Sequence, residues 1–129
     1  MSITITGLEQ LFRKLDNAVA IQTLTPPMQR GVLRLVAFMQ VYPPQPASSK
    51  YVRTGTEGRR WITRVTGSGS GLVGRVGNNV PYAPWVQSSL FQTRGHAATG
   101  WHTDRQAVEQ NAEVILADFQ AAVDRALAG

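Results

Sequence analysis

Two runs of β-forming residues around a glycine–serine turn constrain this chain more than any other feature. Trp61-Ile62-Thr63-Arg64-Val65-Thr66 is rich in strand-favouring residues, Gly67-Ser68-Gly69-Ser70-Gly71 is a flexible turn, and Leu72-Val73-Gly74-Arg75-Val76-Gly77 leads the chain back. So short a link joins strands antiparallel, because a parallel pair needs a crossover of a dozen residues or more. The pattern therefore predicts a hairpin, with Gly74 marking a bulge or the close approach of another element. The glycine run is not a phosphate loop. It lacks the Lys-Ser/Thr that would follow, and it joins strand to strand rather than strand to helix.

Helical periodicity flanks the hairpin. Ile3 and Ile5 alternate with Ser2, Thr4 and Thr6 as a short strand. Thr6-Gly7-Leu8-Glu9 forms a capping box that opens a helix to about Val19, with Leu8, Leu11, Phe12, Leu15 and Val19 on one face. Thr25 suits an N-cap and Pro26 a first helical position, so a second helix is expected with Met28, Val32, Leu35, Val36 and Met39 buried. Tyr42-Pro43-Pro44 stops it. After a polar, glycine-punctuated stretch from Ser88 to Trp101, Thr103 or Asp104 caps a last helix over about 105–127. Val108, Ala112, Ile115, Phe119, Ala122 and Ala126 stack on its inner face, broadened by Leu116 and Val123, and it should cover the sheet. These elements describe one α+β domain over residues 1–129. It has a small antiparallel sheet with a long hairpin, packed by two N-terminal helices and one long C-terminal helix. An extended Pro-rich loop spans about 43–60.

That loop is long for a domain of 129 residues, and such loops are usually functional or disordered. It carries Pro44, Pro46, Lys50, Tyr51, Arg53, Arg59 and Arg60, which makes it a candidate arm reaching a neighbouring subunit or a polyanion. The net charge of +5 is unevenly spread. Residues 1–42 hold four basic and two acidic groups, residues 43–105 eight and two, and residues 106–129 one and four, giving +2, +6 and −3. A basic middle and an acidic tail suit polyanion binding or head-to-tail pairing of subunits. No apolar run approaches the roughly 20 residues of a membrane span, so no membrane partner is expected. No secretory signal is visible, and with no cysteine in the chain, synthesis in a cytoplasm is expected.

The stretch Val76-Gly77-Asn78-Asn79-Val80-Pro81-Tyr82-Ala83-Pro84-Trp85-Val86-Gln87 packs a turn, two prolines and two large aromatics together. Asn78-Asn79 can take the positive-φ conformations that end a strand, and Pro81 and Pro84 push Val80 and Ala83 into extended backbone. Tyr82 and Trp85 suit either a core cap or a site between core and partner. No catalytic constellation stands out and no cofactor is expected. His96, His102 and Asp104 match no standard metal spacing, and no serine or threonine has an oriented base in a recognised setting.

Several of these pieces, in their order, resemble the phage tail-component family typified by gene product 10 of coliphage HK97. They are the opening strand with Gly7-Leu8-Glu9-Gln10-Leu11, then Arg53-Thr54-Gly55 followed by Arg60-Trp61 and a hairpin. The segment ending in Pro81-Tyr82-Ala83 and the last helix after Gly100-Trp101 complete the set. Two positions depart from the family's pattern: Glu57 stands where a leucine is usual, and Trp85-Val86-Gln87-Ser88-Ser89 where Tyr-Val-Glu-Phe-Gly is frequent. The resemblance implies a structural virion protein of the head–tail junction, a neck or tail-completion subunit, with a tail terminator as the alternative. Such proteins form homo-oligomeric rings, commonly sixfold, around the DNA channel between a head-closure protein and the tail tube or its terminator. In that setting Pro44, Pro46, Tyr51, Arg53, Tyr82 and Trp85 are expected at a subunit interface. Lys50, Arg59, Arg60, Arg64 and Arg75 are expected either to face DNA in the channel or to contact neighbouring subunits.

Overall fold

The computed structural model describes residues 1–5, 17–44, 60–68, 71–80 and 82–128. In chain order its elements are β1 (Ser2–Ile5), α1 (Asn17–Met39), β2 (Trp61–Ser68), β3 (Gly71–Asn78), α2 (Ala83–Gln87), α3 (Arg94–Thr99) and α4 (Asp104–Ala128). The architecture is α+β, as the hairpin and the helical stripes predict. The strands form an antiparallel sheet in the order β1-β3-β2, with β3 central. Gly74 lies opposite Ile3 on one side and Val65 on the other, so the ladder runs through it without a bulge. It marks a close approach instead. A Cβ at Gly74 would lie 2.5 Å from Met28 Sδ and 2.6 Å from Val32 Cγ1, so the bare backbone lets α1 settle onto the centre of the sheet.

Strand alternation decides which side of the sheet α1 covers. Leu72, Gly74 and Val76 are buried on β3, while Arg75 and Gly77 are exposed. The row Ala20, Leu24, Met28, Val32, Leu35 and Met39 is fully buried along α1 and meets Leu72, Val76, Ala107 and Phe119 in one core. Helix α1 lies across β3 and β2 on one side and against α4 on the other.

Four expectations need correction here. First, the helix of residues 17–39 is continuous, so Thr25 is not an N-cap and Pro26 not a first turn. Thr25 Oγ1 donates to the Ile21 carbonyl at 2.6 Å inside the helix. The prolines remove two backbone donors, but Ala20 and Leu24 continue the buried row through them, and packing outweighs the local penalty. Val19, placed on an inner stripe by the sequence, is exposed. The rest of that stripe, Leu8, Leu11, Phe12 and Leu15, lies outside the described residues.

Second, among the described non-glycine residues none has positive φ. Asn78 ends β3 differently, its side-chain carbonyl accepting from the Val80 amide at 3.0 Å. Third, Ala83 is not extended but opens α2, with Pro84 in the first turn, where a missing amide proton is tolerated. Fourth, α4 packs against α1 rather than across the sheet, and although Ile115, Phe119, Ala122 and Val123 face the core as expected, the inner face of its first half is shifted. Ala107, Asn111, Phe119 and Ala122 are buried, whereas Val108, Ala112 and Leu116 are exposed. The small Ala107 and the hydrogen-bonded Asn111 allow close contact with α1. Asn111 Nδ2 donates to the Ala107 carbonyl at 2.7 Å, and its Oδ1 accepts from Arg34 Nε at 3.1 Å.

Candidate functional site

The side of the sheet turned away from α1 carries two arginines at its middle, with Ile62 and Val73 on the same side. Register places Arg64 of β2 directly opposite Arg75 of β3, with Ser2 of β1 beyond Arg75. Both arginines are exposed, and among the described residues neither has a carboxylate partner. Like charges directly opposite in a ladder repel, so the pair costs stability in the isolated chain. Ile62, Arg64, Arg75, Gly77 and Asn79 line a shallow concavity of about 560 Å³ on this side. Arg60 is exposed at the mouth of β2, its carbonyl accepting from the Asn79 amide at 3.4 Å.

Charges elsewhere are distributed differently. Arg30 of α1 makes two bonds to Asp118 of α4, at 2.7 and 2.9 Å. That hydrogen bond, against a smaller effect of burial, raises the Arg30 pKa and lowers that of Asp118. Glu109 and Glu113 stand one turn apart on the exposed side of α4, with no basic partner among the described residues. Among the described residues the chain thus presents an unpaired cationic sheet face and an unpaired anionic helix edge.

A third surface is built by residues 82–103, a compact segment docked on the end of α1 and the start of α4. Gln87 is only 3% exposed, and its Nε2 donates to the carbonyls of Met39 and His102 at 3.0 and 3.1 Å. Gln92 Nε2 spans the carbonyls of Val86 and Trp101 at 2.7 and 3.0 Å. Asp104 Oδ1 accepts from the amides of Ser89 and Arg105, both at 2.9 Å. Burial pushes the Asp104 carboxyl up, but the bonds from Ser89 and Arg105 outweigh it and hold the group below its ordinary range. The amide–carbonyl clasps fix the backbone and leave an aromatic pair outside. Trp85 and Phe91 meet edge to face with centroids 5.8 Å apart, and they are 53% and 55% exposed beside Leu90 at 78%.

The histidines have structural roles within this segment. His102 Nδ1 lies 3.2 Å from the Phe38 carbonyl, which makes it the protonated nitrogen, and its ring stacks on Phe38 at 4.3 Å. His96 Nδ1 meets Thr93 Oγ1 at 2.7 Å. Among the described residues no three His, Asp or Glu side chains gather in a metal-binding group.

Of the residues singled out from the sequence, Arg64 of β2 and Arg75 of β3 come together, and Arg60 immediately precedes β2. Tyr82 and Trp85 are both exposed on and beside α2, and Pro44 is exposed beyond α1. Pro46, Lys50, Tyr51, Arg53 and Arg59 lie outside the described residues. Sequence reasoning missed Leu90 and Phe91, two apolar residues in a run otherwise polar, and α3. The signals for α3 were present: Thr93 accepts from the His96 amide as N-cap, and Gly100 at φ 99° closes the helix. Comparisons with protein-family models, curated proteins and solved structures return no match.

Proposed function

We propose that the protein is a structural subunit of a tailed-phage virion, a neck or tail-completion component that assembles with its own copies into a ring around the DNA channel. The observation that carries this reading is the pair of unlike faces on one subunit: Arg64 and Arg75 unpaired on the outer sheet, and Glu109 and Glu113 unpaired along α4. A ring closes through a heterologous interface, which joins two different and complementary patches of the same chain. The order of sequence motifs points to the head–tail junction as the place, with head-closure and tail-tube or terminator proteins as neighbours; a tail-terminator ring uses the same construction. The role is assembly rather than catalysis.

The same arginine pair favours one second reading, a basic module that contacts DNA without sequence preference. Phosphate contacts release counterions, so such binding falls steeply with salt. Solution mass measurement and negative-stain imaging test the first reading. Rings are expected at high concentration or beside the neighbouring neck proteins; a particle that stays monomeric under both conditions defeats it. A DNA shift at low salt that disappears in R64E/R75E is expected if the arginines face the channel, and no shift at any salt removes the DNA reading.

A further inference from the structure

The outer side of the sheet carries more than charge. Register and strand alternation put Ile62 and Arg64 of β2 on this side, opposite Gly77 and Arg75 of β3. With Ser2 and Asn79 these four line much of the concavity of about 560 Å³, and no Asp or Glu among the described residues lines it. Its middle is apolar and bare. Ile62 is 50% exposed, and a Cβ at Gly77 would meet nothing within 4 Å. Cations stand at both ends. Arg64 and Arg75 lie one two-residue step, about 6.6 Å, from Ile62 and Gly77. At the other end exposed Arg60 immediately precedes β2, its carbonyl accepting from the Asn79 amide.

The geometry points to a single-stranded polynucleotide as the ligand of this face. One phosphate sits between Arg64 and Arg75, the next at Arg60, and the sugar and base between them cover Ile62 and Gly77. Three features select this ligand. Single-strand sites join cations that follow the backbone to a surface that takes the unpaired bases, whereas a duplex keeps its bases paired and would leave the apolar middle bare. Carboxylates one helical turn apart, as on Glu109 and Glu113, are about 5–6 Å from each other. They match the arginine pair alone and leave Arg60 and Ile62 unmatched. The concavity also falls within the range of about 300–1,000 Å³ typical of pockets that hold a small molecule, which includes one nucleotide unit. The proposed contact rests on the DNA reading above and narrows it from any phosphate backbone to an unpaired strand.

Fluorescence anisotropy of the full chain at low salt tests the contact, with labelled oligothymidylate, a blunt duplex of equal phosphate content, and polyglutamate as a carboxylate competitor. Oligothymidylate is expected to bind more tightly than the duplex, and R64Q/R75Q to abolish its binding. Gly77→Val fills the bare floor and Ile62→Ser strips it, so each should weaken the single strand about fivefold, with an unchanged circular dichroism spectrum. Arg60→Gln should lower the salt slope for the single strand by about 0.7, the loss of one phosphate contact. Oligouridylate in place of oligothymidylate separates RNA from DNA, and binding of either supports the contact. If duplex and single strand bind equally and neither floor variant alters that ratio, the nucleoside seat is wrong while the DNA reading stands. If polyglutamate displaces the single strand as well as an equal charge of unlabelled oligothymidylate does, the arginines serve a protein carboxylate and the proposed contact falls. If no polynucleotide binds at low salt, the contact and the DNA reading fall together.

Discussion

Gly74→Ala paired with Gly77→Ala tests the facing of the sheet on which the candidate surfaces depend. The two glycines are three residues apart on β3 and point to opposite sides. At Gly74 the added methyl would lie 2.5 Å from Met28 Sδ, 2.6 Å from Val32 Cγ1 and 3.1 Å from Met28 Cγ. Carbon contacts rest near 3.5–4.0 Å, so about 1 Å must open between β3 and α1. Met28 and Val32 are 0% and 2% exposed, so neither side chain can swing out into solvent to relieve the overlap. Overpacking of a closed core costs about 1–3 kcal/mol, and two simultaneous overlaps place this case near the top, at about 3 kcal/mol. For a domain of this size that is a fall in Tm of about 10 °C. At Gly77 nothing lies within 4 Å, and alanine restricts the unfolded chain, so stability should hold or rise by about 0.5 kcal/mol. Denaturant and thermal unfolding of the full chain, followed by circular dichroism, measure both. If Gly74→Ala costs under about 0.5 kcal/mol, or Gly77→Ala costs as much as Gly74→Ala, the facing is reversed. Arg64 and Arg75 would then be turned inward, because a one-residue slip moves every side chain to the other face.

Three further outcomes follow from the bonds described. Gln87→Glu replaces a buried donor to the Met39 and His102 carbonyls with an acceptor, and should lower stability by about 3 kcal/mol in denaturant unfolding. Asp104 has a folded pKa below its unfolded value, so its contribution is present above the ordinary carboxylate value of about 3.9 and is lost as pH falls through the folded pKa. Unfolding curves between about pH 5 and pH 2 should therefore show a steeper loss for the natural chain than for Asp104→Asn; parallel curves would place that loss elsewhere. Asp118→Asn removes an exposed ion pair with Arg30, and its small effect on Tm should shrink as salt is raised.

Much of the fold is legible in the sequence because its strongest signals are local. The hairpin follows from β-formers around a glycine turn, and the start of α4 from Thr103-Asp104-Arg105-Gln106. There the Thr103 hydroxyl accepts from the Gln106 amide, and the Gln106 side chain accepts from the Thr103 amide. The rest depends on contacts between distant segments. Pro26-Pro27 reads as a helix start because local penalties favour that position, and only the burial of Ala20 and Leu24 against the sheet overrules it. Only the first half of the α4 face is misjudged by hydrophobicity, since α1 selects the small Ala107 and leaves Val108 outside, while Ile115, Phe119, Ala122 and Val123 face the core as the stripe predicts. For the candidate surface, the arginines are recognisable as exposed, but their pairing is not. Strands ending at Thr66 and starting at Leu72 would set Arg64 against Gly74. The strands in fact extend to Ser68 and Gly71, and the register moves by one to place Arg64 opposite Arg75.

The two sides of the sheet differ in what folding asks of them. One side meets α1 through Leu72, Gly74 and Val76, and the same helix holds α4 through its opposite flank, so the whole core described here closes without the outer side. Nothing in that core requires arginine at 64 or 75. Opposite a cross-strand neighbour of the same sign, each is unfavourable by a few tenths of a kcal/mol or more, a cost that threonine or serine would avoid. A phosphate backbone or the carboxylates of a neighbouring subunit would reverse the sign of that interaction. Any partner that binds the native chain and not the unfolded one also stabilises it by mass action. The outer arginines are therefore unfavourable in the lone chain, a cost that a bound anionic partner would offset, with α1 and its glycine seat supplying the stability that lets the chain hold them.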